Sequence, residues 1–289
     1  MKIFLFSLFF LIFGCKERKK VVYSENWGEC VSNSQCSTGR ICLKHKCVDL
    51  EKVPVTTSKK APAGMVYIPA GKFYLGNTGG GKLEKPQKRI FVDSFFMDKH
   101  EVTWGEYNKC VKDKICSLPR IEKQLGDNYP VRGITFNDAT RYCRYADKRL
   151  PSEFEWEKAA RGTDARRYPW GESPPDCKKA VFKQCSSSNP KPVGSCLQGK
   201  SPYGTMDQVG NVWEFTATLK NSWDKVNDPK GSKAGYQQLK AVEIKDNKDI
   251  IHVIRGGSCL DGVDSIRTTI RQLIPAEFFA PQLGFRCAR

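Results

Sequence analysis

Apolar and polar positions follow different rhythms along this chain. After Met1-Lys2 comes a nearly continuous apolar run, Ile3-Phe4-Leu5-Phe6-Ser7-Leu8-Phe9-Phe10-Leu11-Ile12-Phe13. About a dozen such residues fit an export signal and fall short of the ~20 needed for a spanning helix. Further on, Met65-Val66-Tyr67-Ile68, a Pro69-Ala70-Gly71 turn and Lys72-Phe73-Tyr74-Leu75-Gly76 read as a hairpin, and residues 89–97 as another strand. Thr103-Trp104-Gly105-Glu106 and Ser152-Glu153-Phe154-Glu155 have the form of capping boxes, in which hydroxyl and carboxylate satisfy each other's backbone amides at a helix start. Between them, Thr135 opens a helix whose Ala139, Tyr142, Cys143 and Ala146 recur at i, i+3, i+4 and i+7, one apolar face. Beyond Gly162 come loops rich in Gly, Pro and Asn with short apolar runs. The pattern predicts an α+β fold with little regular secondary structure.

Composition sharpens the picture. A length of 289 residues suggests one or two domains. Sixteen Phe, ten Tyr and six Trp supply a core and exclude a mostly disordered chain. Thirteen Cys point to an oxidising compartment. Four of them, Cys30, Cys36, Cys42 and Cys47, crowd into residues 30–47, a stretch too short to bury a core, so two disulfides are expected to hold it. Three pairings are open. Cys30–Cys42 with Cys36–Cys47 is preferred by similarity to small EGF-like knots, and a zinc site using His45 is disfavoured by the absence of Cys-x2-Cys spacing. Residues 48–63, with Pro, Lys and Ser/Thr, read as a linker to a globular domain over residues 64–289.

The apolar run ends in Ile12-Phe13-Gly14-Cys15, followed by Lys16-Glu17-Arg18-Lys19-Lys20. This ending resembles the lipobox of bacterial lipoproteins. The resemblance implies removal of residues 1–14, lipidation of Cys15, a tether over residues 15–29 and a location in the bacterial cell envelope, on the outer membrane or facing the periplasm. Two or more acyl chains hold a protein firmly to a bilayer, and the basic run beside them attracts anionic headgroups.

Six ordered blocks carry a second resemblance: Gly64-Met65-Val66-Tyr67-Ile68-Pro69-Ala70-Gly71-Lys72-Phe73; Glu101-Val102-Thr103; Lys148-Arg149-Leu150-Pro151-Ser152-Glu153-Phe154-Glu155-Trp156-Glu157; Tyr168-Pro169-Trp170-Gly171; Gly210-Asn211-Val212-Trp213-Glu214-Phe215; and Arg255-Gly256-Gly257-Ser258 with Gly284-Phe285-Arg286-Cys287. Together they resemble the formylglycine-generating enzyme (sulfatase-modifying factor) domain. That resemblance implies an irregular α+β, C-type-lectin-like fold. In the active enzymes, two cysteines separated by four residues after the Gly-Gly-Ser block bind copper and oxidise a substrate cysteine. The chemistry needs both, because Cu(I) prefers soft ligands and paired thiolates leave room for a third from substrate. Counted from Gly256, the positions of that pair are Asp261 and Ile266 here, and Cys259 is the one cysteine of the segment before Cys287. Copper is therefore not expected, and the domain reads as a relative without the oxidase chemistry.

The same resemblance places a disulfide at Cys143–Cys287. Of the remainder, Cys110–Cys116 and Cys177–Cys185 are expected as local bridges, leaving Cys196 for Cys259. The alternative is a free, reactive Cys259 thiol whose pKa is lowered by Arg255 or Arg267. Asp207 and Glu214, with the carbonyls of Gly210 and Val212, match one of the family's calcium sites, since hard cations take six to eight oxygens. The plainer reading is that Asn211 and Glu214 satisfy buried backbone groups around Trp213. His45, His100 and His252 form no metal pattern.

The net charge of +17, from 48 Lys+Arg against 31 Asp+Glu, is spread along the chain. Export and the lack of a recognition motif argue against nucleic acid. A glycan, a peptide or another envelope protein remains as partner, beside the membrane itself. The expected function is binding or scaffolding, and the rival is oxidation of a protein side chain through Cys259.

Overall fold

The computed structural model describes residues 40–43, 46–49, 61–220 and 251–289. The chain divides into two compact units, Met1–Val53 and Pro54–Arg289. Within the first, β1 (Arg40–Leu43) and β2 (Lys46–Asp49) form an antiparallel ribbon in which Cys42 stands opposite Cys47. The expected pairing of Cys30, Cys36, Cys42 and Cys47 lies outside the described residues, as does Cys15.

The second unit begins with four short strands: β3 (Met65–Ile68), β4 (Gly71–Leu75), β5 (Lys88–Val92) and β6 (Phe95–Asp98). The expected hairpin of β3 with β4 is not formed. Residues 89–97 are two strands broken at Asp93-Ser94, and each half takes one partner, so β4 pairs with β5 and β3 with β6. The turn at Pro69-Ala70 moves the chain from one ribbon to the other. Ile68, Phe73, Leu75, Val92, Phe95 and Met97 thereby share one buried cluster with Trp156.

Three helices follow the capping signals. In α1 (Trp104–Lys112), α2 (Phe136–Tyr145) and α3 (Glu153–Arg161) the N-caps are Thr103, Thr135 and Ser152, each answered by a carboxylate at the third helical position. The final sheet has the order β10-β7-β8-β9, built from β7 (Trp213–Leu219), β8 (Ile251–Arg255), β9 (Arg271–Pro275) and β10 (Leu283–Gly284). β10 lies parallel to β7, and the other neighbours are antiparallel. Tyr107, Tyr142, Phe215 and Phe285 fill the core between α1, α2 and this sheet. Each such side chain contributes about 1.5–3 kcal/mol through removal of its apolar surface from water.

α3 carries five charged side chains and is buried along its whole length. Its charges are answered one by one. Glu153 pairs with Arg271 at 2.7 Å, Glu155 with Arg149 at 2.6 Å, and Glu157 with Arg255 and with Arg161 at 3.1 Å. The Lys158 ammonium donates to the carbonyls of Pro69, Gly71 and Val92 at 2.5, 3.1 and 3.1 Å. A buried charge persists only when so partnered, which makes α3 the post to which the ribbons and the sheet are tied.

Candidate functional site

The Gly-Gly-Ser segment leaves β8 directly beneath α3. Gly256 and Gly257 have φ of +98° and +76°. A Cβ on Gly257 would lie 2.3 Å from the Ser265 carbonyl oxygen, so the sharp path of this loop requires glycine there. The loop then presents Ser258, Cys259, Leu260 and Asp261. The Asp261 carboxylate accepts three hydrogen bonds through Oδ2: from the Ser258 amide at 2.9 Å, the Ser258 hydroxyl at 2.6 Å and the Trp213 indole at 2.9 Å. Ile266 is buried with Ala180, Phe182 and Val209. The two positions that the resemblance assigns to copper thiolates thus hold a tethered carboxylate and a packed aliphatic side chain. A hard carboxylate oxygen tethered by three donors does not replace a soft sulfur, and this pair of positions does not fit a copper centre.

Three disulfides are present among the described residues: Cys110–Cys116, Cys143–Cys287 and Cys177–Cys185. The bridge expected between Cys196 and Cys259 is not made. Both are free thiols, buried with Val181 in one small cluster. The Cys196 thiol is turned toward the Cys177 carbonyl oxygen, 3.8 Å away. Neither is an activated nucleophile, because burial pushes both pKa values up to about 11. Of the arginines expected to activate Cys259, Arg255 is committed to Glu157 and Arg267 to Glu84. Arg132 is the cation that acts on Cys259, and burial outweighs it.

The expected calcium ligands lie on the adjoining 207–214 turn. Both Glu214 oxygens are engaged, by Arg286 at 2.7 Å each and by the Trp156 indole at 2.8 Å. Glu214 is therefore the counter-ion of Arg286. Asp207, at φ +55°, accepts the Gly194 amide at 2.5 Å. Gly210, at φ +79°, lies so close to the Val181 carbonyl that a Cβ would sit 2.3 Å from it, and Val212 is fully buried. The residue missed in the sequence is Glu101. Its Oε1 accepts from the Asn211 side-chain Nδ2 at 3.0 Å, while its buried Oε2 has no hydrogen-bond partner. Burial, with the charges of Asp207 and Glu214, raises its pKa well above the usual carboxylate range. Glu101 stands in the Glu101-Val102-Thr103 block, so its importance was legible there, but its facing Asp207 was not. Among the described residues no three His, Cys, Asp or Glu side chains converge as a metal cage. A hard cation here would need Asp207, the orphaned Glu101 oxygen and backbone carbonyls.

Residues 51–289 match the model of the sulfatase-modifying factor enzyme 1-like domain. The serine/threonine-protein kinase pkn1 of Chlamydia caviae is 31% identical over 252 residues, covering 78% of this chain and 38% of that protein, so the chain spans well under half of that relative's length. The formylglycine-generating enzyme of Mus musculus is 28% identical over 291 residues, covering 78% of this chain and 74% of the mouse protein. PvdO from Pseudomonas aeruginosa superposes with a TM-score of 0.62 at 23% identity, over 78% of this chain and 93% of PvdO, a likeness of fold. The chain belongs to the sulfatase-modifying factor enzyme 1-like domain family.

Proposed function

We propose that this chain is an envelope lipoprotein whose sulfatase-modifying-factor-type domain binds or scaffolds and has given up copper-dependent oxidation. The observation that carries the reading is the Asp261 carboxylate, held by Ser258 and Trp213 where the active enzymes need a thiolate. Beside it the surface offers Leu260 and Leu197, 44% and 70% exposed, each directly following a buried cysteine. Exposed apolar side chains next to a basic chain suit a peptide, a glycan or another envelope protein better than nucleic acid. The membrane is the second partner, through lipid on Cys15. Calcium enters this reading through Asp207 and the orphaned Glu101 oxygen, with the Gly210 and Val212 carbonyls, and stripping Ca²⁺ is expected to lower the melting temperature.

The oxidase reading is favoured by one observation, the second free sulfur of Cys196 in the cluster that holds Cys259. Burial keeps both protonated and away from substrate, which argues for binding. Incubating the purified protein with Cu(I) and a cysteine-containing peptide decides between the two. No aldehyde is expected by mass spectrometry. Aldehyde that disappears in Cys259→Ala would overturn the binding reading.

A further inference from the structure

Four cysteines of the second unit lie on segments laced together by hydrogen bonds. Asn211, at φ +57°, is the centre: its amide donates to the Val181 carbonyl at 2.7 Å and its carbonyl accepts from the Cys259 amide at 2.9 Å. The Ser186 hydroxyl, next to Cys185, donates to the Cys259 carbonyl at 2.7 Å. The 3-10 turn Leu197–Gly199 packs onto the 176–180 segment, with the Gln198 amide donating to the Lys178 carbonyl at 3.3 Å. Gly199 is required for that approach, because a Cβ there would fall 2.0 Å from the Lys179 carbonyl oxygen. Cys196 is thereby held with its thiol 3.8 Å from the Cys177 carbonyl, and Cys177 is bonded to Cys185. Cys177 is exposed and Cys185 partly so, whereas Cys196 and Cys259 are 3% and 1% exposed. A surface disulfide, a buried thiol against the backbone of one of its two cysteines and a second buried thiol in the same cluster are the parts of an exchange chain. Exchange proceeds by thiolate attack on a disulfide sulfur through a mixed disulfide.

We propose that Cys177, Cys185, Cys196 and Cys259 form an internal disulfide relay, which moves one disulfide between the protein surface and its core. In the first step the Cys196 thiolate attacks the Cys177 sulfur. The Cys196–Cys177 bond forms, the Cys177–Cys185 bond breaks, and Cys185 departs as a thiolate that takes up the proton Cys196 gave to water. In the second step the Cys259 thiolate attacks the Cys196 sulfur, forming Cys196–Cys259 and releasing Cys177 as a thiol. One disulfide and two thiols stand on each side, so no outside oxidant or reductant is consumed. The product places its bond in the core and a Cys177/Cys185 dithiol at the surface, where the substrate class it meets is a protein disulfide. Such a partner would be reduced to two thiols as Cys177–Cys185 re-forms, with the two electrons supplied by the core pair. This inference does not depend on the binding reading, because it uses neither Asp261 nor a metal.

The high pKa values of the buried thiols make the relay slow at neutral pH and steeply faster in alkali, since the thiolate is the attacking species. The full chain, without added oxidant, is incubated at pH 7 and pH 9. Free thiols are then alkylated and non-reduced peptides mapped by mass spectrometry over time. A Cys196–Cys259-linked peptide is expected to appear with alkylated Cys177 and Cys185, roughly a hundredfold faster at pH 9, as a thiolate fraction rising tenfold per pH unit requires. Cys259→Ser is expected to stop at Cys177–Cys196, and Cys196→Ser to keep Cys177–Cys185 intact. Alkylation confined to Cys196 and Cys259 at both pH values overturns the relay, as does equal shuffling in Cys196→Ser. The pH series uses the natural chain, so the test stands even if a variant does not fold.

Discussion

A guanidinium without exposed surface has to be answered charge for charge, and Arg286 is answered by Glu214 through two 2.7 Å hydrogen bonds. Its remaining donors reach the carbonyls of Asp98, Lys99 and Met206, which ties the end of the chain to the 98–101 and 206–214 segments. Arg286→Leu removes the cation and leaves a carboxylate in the core. We expect a loss of about 3–5 kcal/mol, read as a lower urea midpoint, with part of it recovered in the Arg286→Leu, Glu214→Gln double variant. His252 makes a different prediction. It stacks on Phe136 with ring centroids 3.5 Å apart, and burial pushes its pKa down to about 4. The folded state therefore binds its proton less readily than the unfolded state, where the value is about 6.5. The resulting stability is present in full above about pH 6.5 and disappears as pH falls toward 4. The difference is on the order of 3 kcal/mol. Chemical denaturation between pH 7 and pH 4 is expected to show this slope, and His252→Phe to flatten it. At this scale Asp261 was legible through the family resemblance, which counts the copper positions from a glycine pair. The fates of Cys196 and Glu101 were not, because each depends on a neighbour distant in sequence.

The helices are the elements most open to reading, since a cap is a local contract between residues three apart. In α2 the Thr135 hydroxyl accepts the Asp138 amide at 3.3 Å and the Asp138 carboxylate accepts the Thr135 amide at 3.0 Å. Thr135→Ala is expected to cost about 1 kcal/mol, seen as a fall of a few degrees in melting temperature. Asp138→Asn should cost more than the lost cap, because Asp138 also receives Arg120 at 2.9 Å. Strand pairing was less legible. β3 and β4 satisfy the pattern of a hairpin, yet each is taken by half of the 88–98 stretch, since Asp93-Ser94 interrupts what reads as one strand. Periodicity reports which face of a strand is buried and says nothing about which neighbour lies beside it. α3 misleads in the opposite direction. Glu-Phe-Glu-Trp-Glu-Lys has the composition of a surface helix, and the arginines that neutralise it come from β8, from β9 and from Arg149 just before it.

For the whole molecule, the order of the six motif blocks identified the fold, because those blocks are where buried arginines, glycines at positive φ and the capping boxes meet. Between the blocks the loops carry the individuality of the chain, and there the positions that the resemblance assigns to copper thiolates are Asp261 and Ile266. What the molecule does then depends on where it is held. Its +17 charge attracts any anionic surface, but attraction of that kind is screened at about 8 Å in physiological salt, whereas acyl chains hold by burial of methylenes that salt does not weaken. The two mechanisms separate experimentally. Labelled palmitate is expected to enter the full chain expressed in bacteria and to be lost completely in Cys15→Ala. The natural chain should stay with the membrane fraction through a high-salt wash, while the variant is washed off. A Cys15→Ala protein that resisted the wash would place retention in the folded domain and remove the lipid anchor from the proposal.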